Sequence, residues 1–151
     1  MINLRGESVQ ESRLRVLVID DDDIAREMLC ETLRNCGHEV YDLASAIGAT
    51  RAIIEQEIEA VVLDVMMPSI NGDKLARLLR QASRGKHLTI ILVSSRPLEE
   101  LQVLLVDAQA DAVLSKRAVR AELGTTLQRV HRQRASRHPG PRSSRRSSRG
   151  G

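Results

Sequence analysis

Five short apolar runs recur along this chain of 151 residues, and longer segments with apolar residues at helical spacing lie between them and after the last. The runs at 14–19, 39–43, 60–64, 88–93 and 112–115 are rich in Val, Ile and Leu, and their brevity favours strands over helices. Such alternation is the pattern of βα units, which build a parallel sheet. A run as continuously apolar as Ile90-Ile91-Leu92-Val93 belongs to a strand covered on both faces. The expected fold class is therefore α/β: a doubly wound, five-stranded parallel sheet flanked by five helices.

The helices are expected near 23–36, 47–57, 73–83, 98–109 and 118–132. Leu29, Leu33 and Cys36 form the apolar stripe of the first, with the Asp23 carboxylate capping its free N–H groups and Gly37 closing it. Ile47, Ile54 and Ile58 are placed near the buried side of the second, and Leu75, Leu78 and Leu79 on that of the third. The fourth carries Leu98, Leu101 and Leu105; the fifth carries Val119, Leu123, Leu127 and Val130. With one Tyr and neither Phe nor Trp, the core must be aliphatic, and stacking on nucleobases is not an expected activity.

The length fits one domain of about 100–200 residues, and charge sets the chain end apart from it. Eight basic residues and no acids lie from Arg129 onward, whereas residues 1–128 hold 15 basic and 20 acidic residues, a net charge of −5. The expected organisation is an N-terminal extension over 1–12, a domain over 13–132 and a disordered Arg/Ser-rich tail over 133–151. The tail either solubilises, folds back on the acidic domain, or attracts nucleic acid or an anionic membrane electrostatically. No second folded domain, and so no intrinsic DNA-binding domain, is expected to follow.

Cys30 and Cys36 are read as helix thiols, because their spacing suits neither a disulfide framework nor a zinc site. His38, His87, His131 and His138 lack metal-ligand spacing and receive no catalytic role. No apolar stretch approaches the roughly 20 residues that span a bilayer, and residues 1–12 lack the apolar core of a signal peptide. No transmembrane segment and a cytoplasmic location are expected.

Polar groups gather where the strands end, and in doubly wound sheets ligands bind beyond those carboxyl ends. The first run is followed by four consecutive aspartates, Asp20 to Asp23. The third ends at Asp64 within Val-Leu-Asp-Val-Met-Met-Pro, the fourth at Ser94 and Ser95, and the fifth at Ser115 and Lys116. Carboxylates crowded together repel by about 1 kcal/mol per pair even in bulk water. Such a run calls for water, dispersal or a divalent cation, and hard oxygen ligands favour magnesium or calcium.

Two carboxylates and a backbone carbonyl can hold magnesium beside a third carboxylate, which keeps an oxygen free to attack a phosphoryl group. Lys116 supplies a positive point charge for the phosphoryl oxygens, and Ser94 supplies a hydroxyl donor. A covalent acyl phosphate on aspartate is established nucleophilic chemistry. Plainer readings exist for each: Asp64 as a strand-end carboxylate bonded to backbone, Lys116 as a surface lysine, and the two serines as initiators of the turn before Pro97.

Five signals then occur in order: Val-Leu-Val-Ile-Asp-Asp-Asp, Leu-Asp-Val-Met-Met-Pro, Asn71-Gly72-Asp73, Ser94-Ser95 and Val113-Leu114-Ser115-Lys116. Together they resemble the receiver domain of bacterial two-component response regulators, over about Arg13 to Val130. The resemblance implies that Asp64 is the phosphoacceptor, and that Asp20, Asp21, Asp64 and the Met66 backbone carbonyl hold Mg2+. It places Ser94 and Lys116 against the phosphoryl group. Asp22 and Asp23 fall outside the metal pair and are read as a turn residue and a helix cap.

The same resemblance implies a single-domain receiver, self-phosphorylating and self-dephosphorylating rather than a conventional turnover enzyme. Its phosphoryl group would come from a phosphohistidine on a sensor histidine kinase or histidine phosphotransfer protein. Ala25 and Met28 are candidates for the donor contact, with Met28 alternatively filling the core. A magnesium-dependent phosphatase is disfavoured, because Met66 stands where a second acid would be needed two residues after Asp64.

Departures from the family pattern fall on the output side. Val113 stands where many receivers carry an aromatic switch residue, and Arg117 follows Lys116 where proline with a cis bond is usual. A non-proline cis bond costs roughly 2.5–4 kcal/mol, so a trans bond or a strained loop is expected. Val103, Leu104 and Val106 load the fourth helix with apolar residues beyond its core stripe. The face formed by helix four, strand five and helix five is thus the expected surface for a downstream partner or a homodimer, unless its flanks cover it. The alternative reading is a receiver-shaped scaffold whose output is independent of phosphorylation.

Overall fold

The computed structural model describes residues 12–67, 72–82 and 88–137. Strands and helices alternate strictly: β1 (Arg15–Ile19), α1 (Asp23–Asn35), β2 (Glu39–Leu43), α2 (Ala49–Glu55), β3 (Ala60–Asp64), α3 (Gly72–Ala82), β4 (Thr89–Ser94), α4 (Leu98–Asp107), β5 (Ala112–Ser115) and α5 (Val119–Arg137). The strands form one parallel sheet in the order β2-β1-β3-β4-β5. The chain winds outward from β1 to β2, then crosses back past β1 to β3. That reversal opens a crevice at the carboxyl ends of β1 and β3.

Alternation along each strand divides the core in two. Val16 and Val18, Val62, Ile91 and Val93, and Leu114 face Leu29, Leu33, Leu123 and Leu127 of α1 and α5. Leu17 and Ile19, Val61 and Leu63, and Ile90 and Leu92 face Ile53, Leu75 and Leu79 of α2 and α3. Because successive side chains in a strand point to opposite faces, a strand buried on both sides must be apolar throughout. β3 and β4 are buried at every position.

The boundaries and helix phases differ from the sequence expectation in places, each with a physical cause. Asp22, not Asp23, caps α1: its extended backbone lets the carboxylate accept from the Ile24 and Ala25 N–H groups at 2.9 and 3.3 Å. Gly37 closes α1 as expected, at φ +89°, with its own N–H bonded to the Arg34 carbonyl at 2.9 Å and the His38 N–H to that of Leu33 at 3.2 Å. Cys36 is exposed at that cap, and Cys30 takes its place in the core. Gly48 adopts the left-handed conformation, so α2 begins at Ala49 and buries Ala49 and Ile53, leaving Ile47 and Ile54 outside. Leu78 is likewise exposed, because Leu75, Ala76 and Leu79 already fill the face of α3 that meets the sheet.

The largest departure is α5, which runs past the expected end at 132 and makes residues 133–137 helical rather than tail. Arg134 fixes the added turn by pairing with Asp111, just before β5, at 2.9 Å. Residues 1–11 and 138–151 of the expected extension and tail lie outside the described residues, as do Pro68, Asn71, His87 and His138. Among the described residues no helix is long and apolar enough to cross a membrane, and no peptide bond is cis, so Lys116–Arg117 is trans.

Candidate functional site at the carboxyl edge of the sheet

Parallel register brings the strand ends to one edge. Ile19 pairs with Leu63, Asp64 with Val93, and Ser94 with Ser115, so the residues following β1 and β5 emerge beside Asp64. Asp20 is fully buried there, Asp64 nearly so, and Asp21 is exposed. One oxygen from each of the three carboxylates can be chosen so that all lie within 4.8 Å of one another. The sequence-predicted acids therefore do converge, although 44 residues separate Asp20 from Asp64.

Local hydrogen bonds aim these groups. Asp20 Oδ1 accepts from the Asp22 N–H at 2.9 Å, and Asp64 Oδ1 accepts from the Met66 N–H at 3.0 Å. Each carboxylate is thus held by the turn that follows it, with its second oxygen free of the backbone. Lys116 Nζ approaches both second oxygens, at 3.4 Å from Asp64 and 3.9 Å from Asp20. Ser94 is buried, and its hydroxyl accepts from the Arg96 N–H at 3.0 Å while keeping its own proton to donate.

The electrostatics show strain. Burial pushes the Asp20 carboxyl up to about 6, and the nearby Asp64 charge adds to the rise, while the Asp22 N–H and Lys116 oppose it. Asp20 Oδ2 is buried without a hydrogen-bond partner. A buried carboxylate oxygen left in that condition costs free energy, and a hard cation bound between the acids would satisfy it. By this test the residues fit a divalent metal such as Mg2+, the group expected here.

Asp22 and Asp23 stand outside this cluster: the former is the α1 cap and the latter bonds Arg26 at 2.6 Å. Arg26 was not anticipated in the site. Its guanidinium donates to the Asp20 carbonyl at 2.8 Å and to Asp42 at 2.9 Å as well, tying the acidic turn to β2. The available signal was its place three residues after Asp23, on the face that adjoins the turn. Of the two expected donor contacts, Met28 packs against the core and Ala25 is half-buried.

An acidic crevice of this construction, at the switch point of a 2-1-3-4-5 sheet, defines a receiver-type fold. The response regulator receiver domain model matches residues 16–128, and the chain belongs to that family. Over 130 residues it is 36% identical to the response regulator MprA of Mycobacterium sp. (strain KMS), a match covering 86% of this chain and 55% of the relative. To the MprA of Mycobacterium avium (strain 104) it is 37% identical over 103 residues, 68% of this chain and 44% of that one. The chain thus spans about half the length of the curated relatives it matches.

Among solved structures, the chemotaxis protein CheY4 of Vibrio cholerae superposes with a TM-score of 0.71 at 27% identity, covering 79% of this chain and 99% of that one. The receiver domain of the histidine kinase CKI1 from Arabidopsis thaliana, solved as a point mutant, gives 0.68 at 25% identity, covering 79% and 90%.

Proposed function

We propose that this receiver accepts a phosphoryl group from a phosphohistidine donor onto Asp64 in a Mg2+-dependent reaction, and that the modification is read by another protein. The observation that carries the reading is the convergence of Asp20, Asp21 and Asp64 around a buried carboxylate oxygen without a hydrogen-bond partner, with the Lys116 ammonium beside two of the acids. Asp20, Asp21, Asp64 and the Met66 carbonyl would hold the metal. When bound, Mg2+ supplies positive charge that offsets the phosphoryl oxygens and the crowded carboxylates.

The remaining steps fall to the chain. The Asp64 carboxylate attacks phosphorus, the P–N bond to the donor imidazole breaks, and the imidazole leaves with that electron pair. Lys116 and the Ser94 hydroxyl then hold the phosphoryl oxygens. Hydrolysis reverses the modification when water attacks the acyl phosphate and the Asp64 carboxylate leaves. The protein accordingly acts as a self-modifying switch rather than a turnover enzyme. The donor is a sensor histidine kinase or histidine phosphotransfer protein, and the downstream contact uses α4, β5 and α5, where Val103 and Val106 are exposed.

A second reading is favoured by Val113, which packs half-buried against the core where a switch aromatic would stand. In that reading the fold is a scaffold whose output ignores phosphorylation. Incubation with magnesium and a small phosphodonor, followed by intact mass measurement, tests the first reading. A single phosphoryl adduct lost in Asp64→Asn is expected, and no adduct with any donor sinks it. Partner association compared with and without the adduct then decides between switch and scaffold.

A further inference from the structure

The three clustered acids are not held in the same way. The Asp20 and Asp64 carboxylates each accept an N–H from the turn that follows, Asp22 for the first and Met66 for the second. The Asp21 carboxylate is exposed and has no such bond among the described residues. Its direction is therefore set by the backbone on either side of it.

Two peptide planes flank Asp21, and both are tied. The Asp22 N–H donates to Asp20 Oδ1 at 2.9 Å, which holds the following plane; Arg26 Nη1 donates to the Asp20 carbonyl at 2.8 Å, which holds the preceding one. A peptide unit is rigid and planar, so a carbonyl held in place also holds the Cα beyond it. With both planes held, φ and ψ of Asp21 are set, and with them the direction of its Cβ. Arg26 is well shielded, with 16% of its side chain exposed. Its Nε pairs with Asp42 of β2 at 2.9 Å and its Nη2 with Asp23 at 2.6 Å, so two ion pairs lock the fork that reaches the carbonyl.

We infer that Arg26 is the positioning residue of the acidic site: through the Asp20 carbonyl it holds the Asp21 carboxylate where a divalent cation can be shared with Asp20 and Asp64. This role rests on the metal-binding reading above and adds the residue that sets the affinity. Arg26 acts through the backbone and touches neither metal nor phosphoryl group. Its charge works in the opposite sense, because a guanidinium repels a nearby cation and offsets Asp23 and Asp42, which would attract one. If charge alone counted, loss of Arg26 would tighten magnesium binding. Loss of position weakens it, and groups that orient metal ligands from outside typically change affinity about 10–100-fold.

Amide chemical shifts of the full chain, recorded while magnesium chloride is titrated at constant ionic strength against sodium chloride, read this affinity in the folded protein. Saturable shifts of Asp21, Asp22 and Met66 are expected in wild type, and binding about tenfold weaker in Arg26→Gln. Arg26→Lys keeps the charge and a donor but not the planar fork, so its affinity should fall between the two; it carries the test if the Gln variant does not fold. Urea unfolding without metal reports stability separately, because a merely structural role would lower that midpoint and leave the affinity of the folded protein unchanged. Magnesium affinity unchanged or tightened in both variants overturns the proposal and leaves the metal-binding reading intact. No saturable shift in wild type removes that reading, and this role of Arg26 with it.

Discussion

Lys116 Nζ sits 3.4 Å from Asp64 Oδ2, bridging β5 and β3 across the intervening β4. The ammonium stands beside two of the three clustered carboxylates, lying 3.9 Å from Asp20 as well. Lys116→Ala should lower the stability of the metal-free protein by about 2 kcal/mol, the cost of leaving a buried charge without its partner. Magnesium should restore part of that loss, since it supplies charge to the same oxygens. Urea unfolding with and without the metal measures both effects, while the phosphoryl adduct should form far more slowly in the variant at any magnesium concentration.

Asp20 is built for binding at the expense of stability. Its carboxyl titrates at about 6 in the fold against 3.8 as the ordinary value, so the folded state holds its proton more tightly. Between those two values the native protein binds more protons than the unfolded chain, and stability must rise as pH falls. The gain is absent above pH 6 and complete below pH 4. His131 works in the opposite sense: burial lowers its pKa, so stability is lost as pH falls below its ordinary value. The difference between wild type and Asp20→Asn isolates the first contribution. At neutral pH without metal the variant should be the more stable, and it should have lost magnesium-dependent stabilisation. A metal-free difference that stayed flat from pH 7 to 4 would count against this account of Asp20.

Asp111 joins α3, β4 and α5 through Arg80, the Ile90 N–H and Arg134. Asp111→Ala leaves two guanidiniums facing each other in a largely buried place. Removing one member of such a pair costs about 3–5 kcal/mol. A denaturation midpoint shift of that size is expected, together with loss of protection from hydrogen exchange in the last turns of α5. Arg134→Gln should cost less, because Arg80 keeps its carboxylate.

Much of this architecture was legible because the residues carrying it are unambiguous. The β3 and β4 runs are apolar at nearly every position, and only a two-faced sheet buries them. Asp64 and Lys116 were readable for the same reason: a strand end fixes where a side chain emerges. Helix phase was harder. A start two residues later than expected, set by the left-handed Gly48, turns α2 so that Ile53 is buried and Ile54 is not. Among four consecutive aspartates, only backbone geometry distinguishes the capping Asp22 from Asp23. The length of α5 was hidden because Arg134 finds its partner 23 residues earlier, where no local periodicity reports it.

Gly124, in the second turn of α5, lies against Cys36, the residue that caps α1. A Cβ built there would lie 2.7 Å from Cys36 Sγ and meets little else within contact range. Replacing a helix-interior glycine by alanine gains up to about 1 kcal/mol in propensity, but here the thiol must first rotate away. In wild type Gly124→Ala should therefore be close to neutral or mildly destabilising. With Cys36→Ala in place, the same substitution should stabilise by nearly the full propensity gain. The double-mutant cycle should give a coupling of about 0.5–1 kcal/mol, as contacting residues do. Additive midpoints in the four proteins would mean that α1 and α5 move apart rather than the thiol rotating.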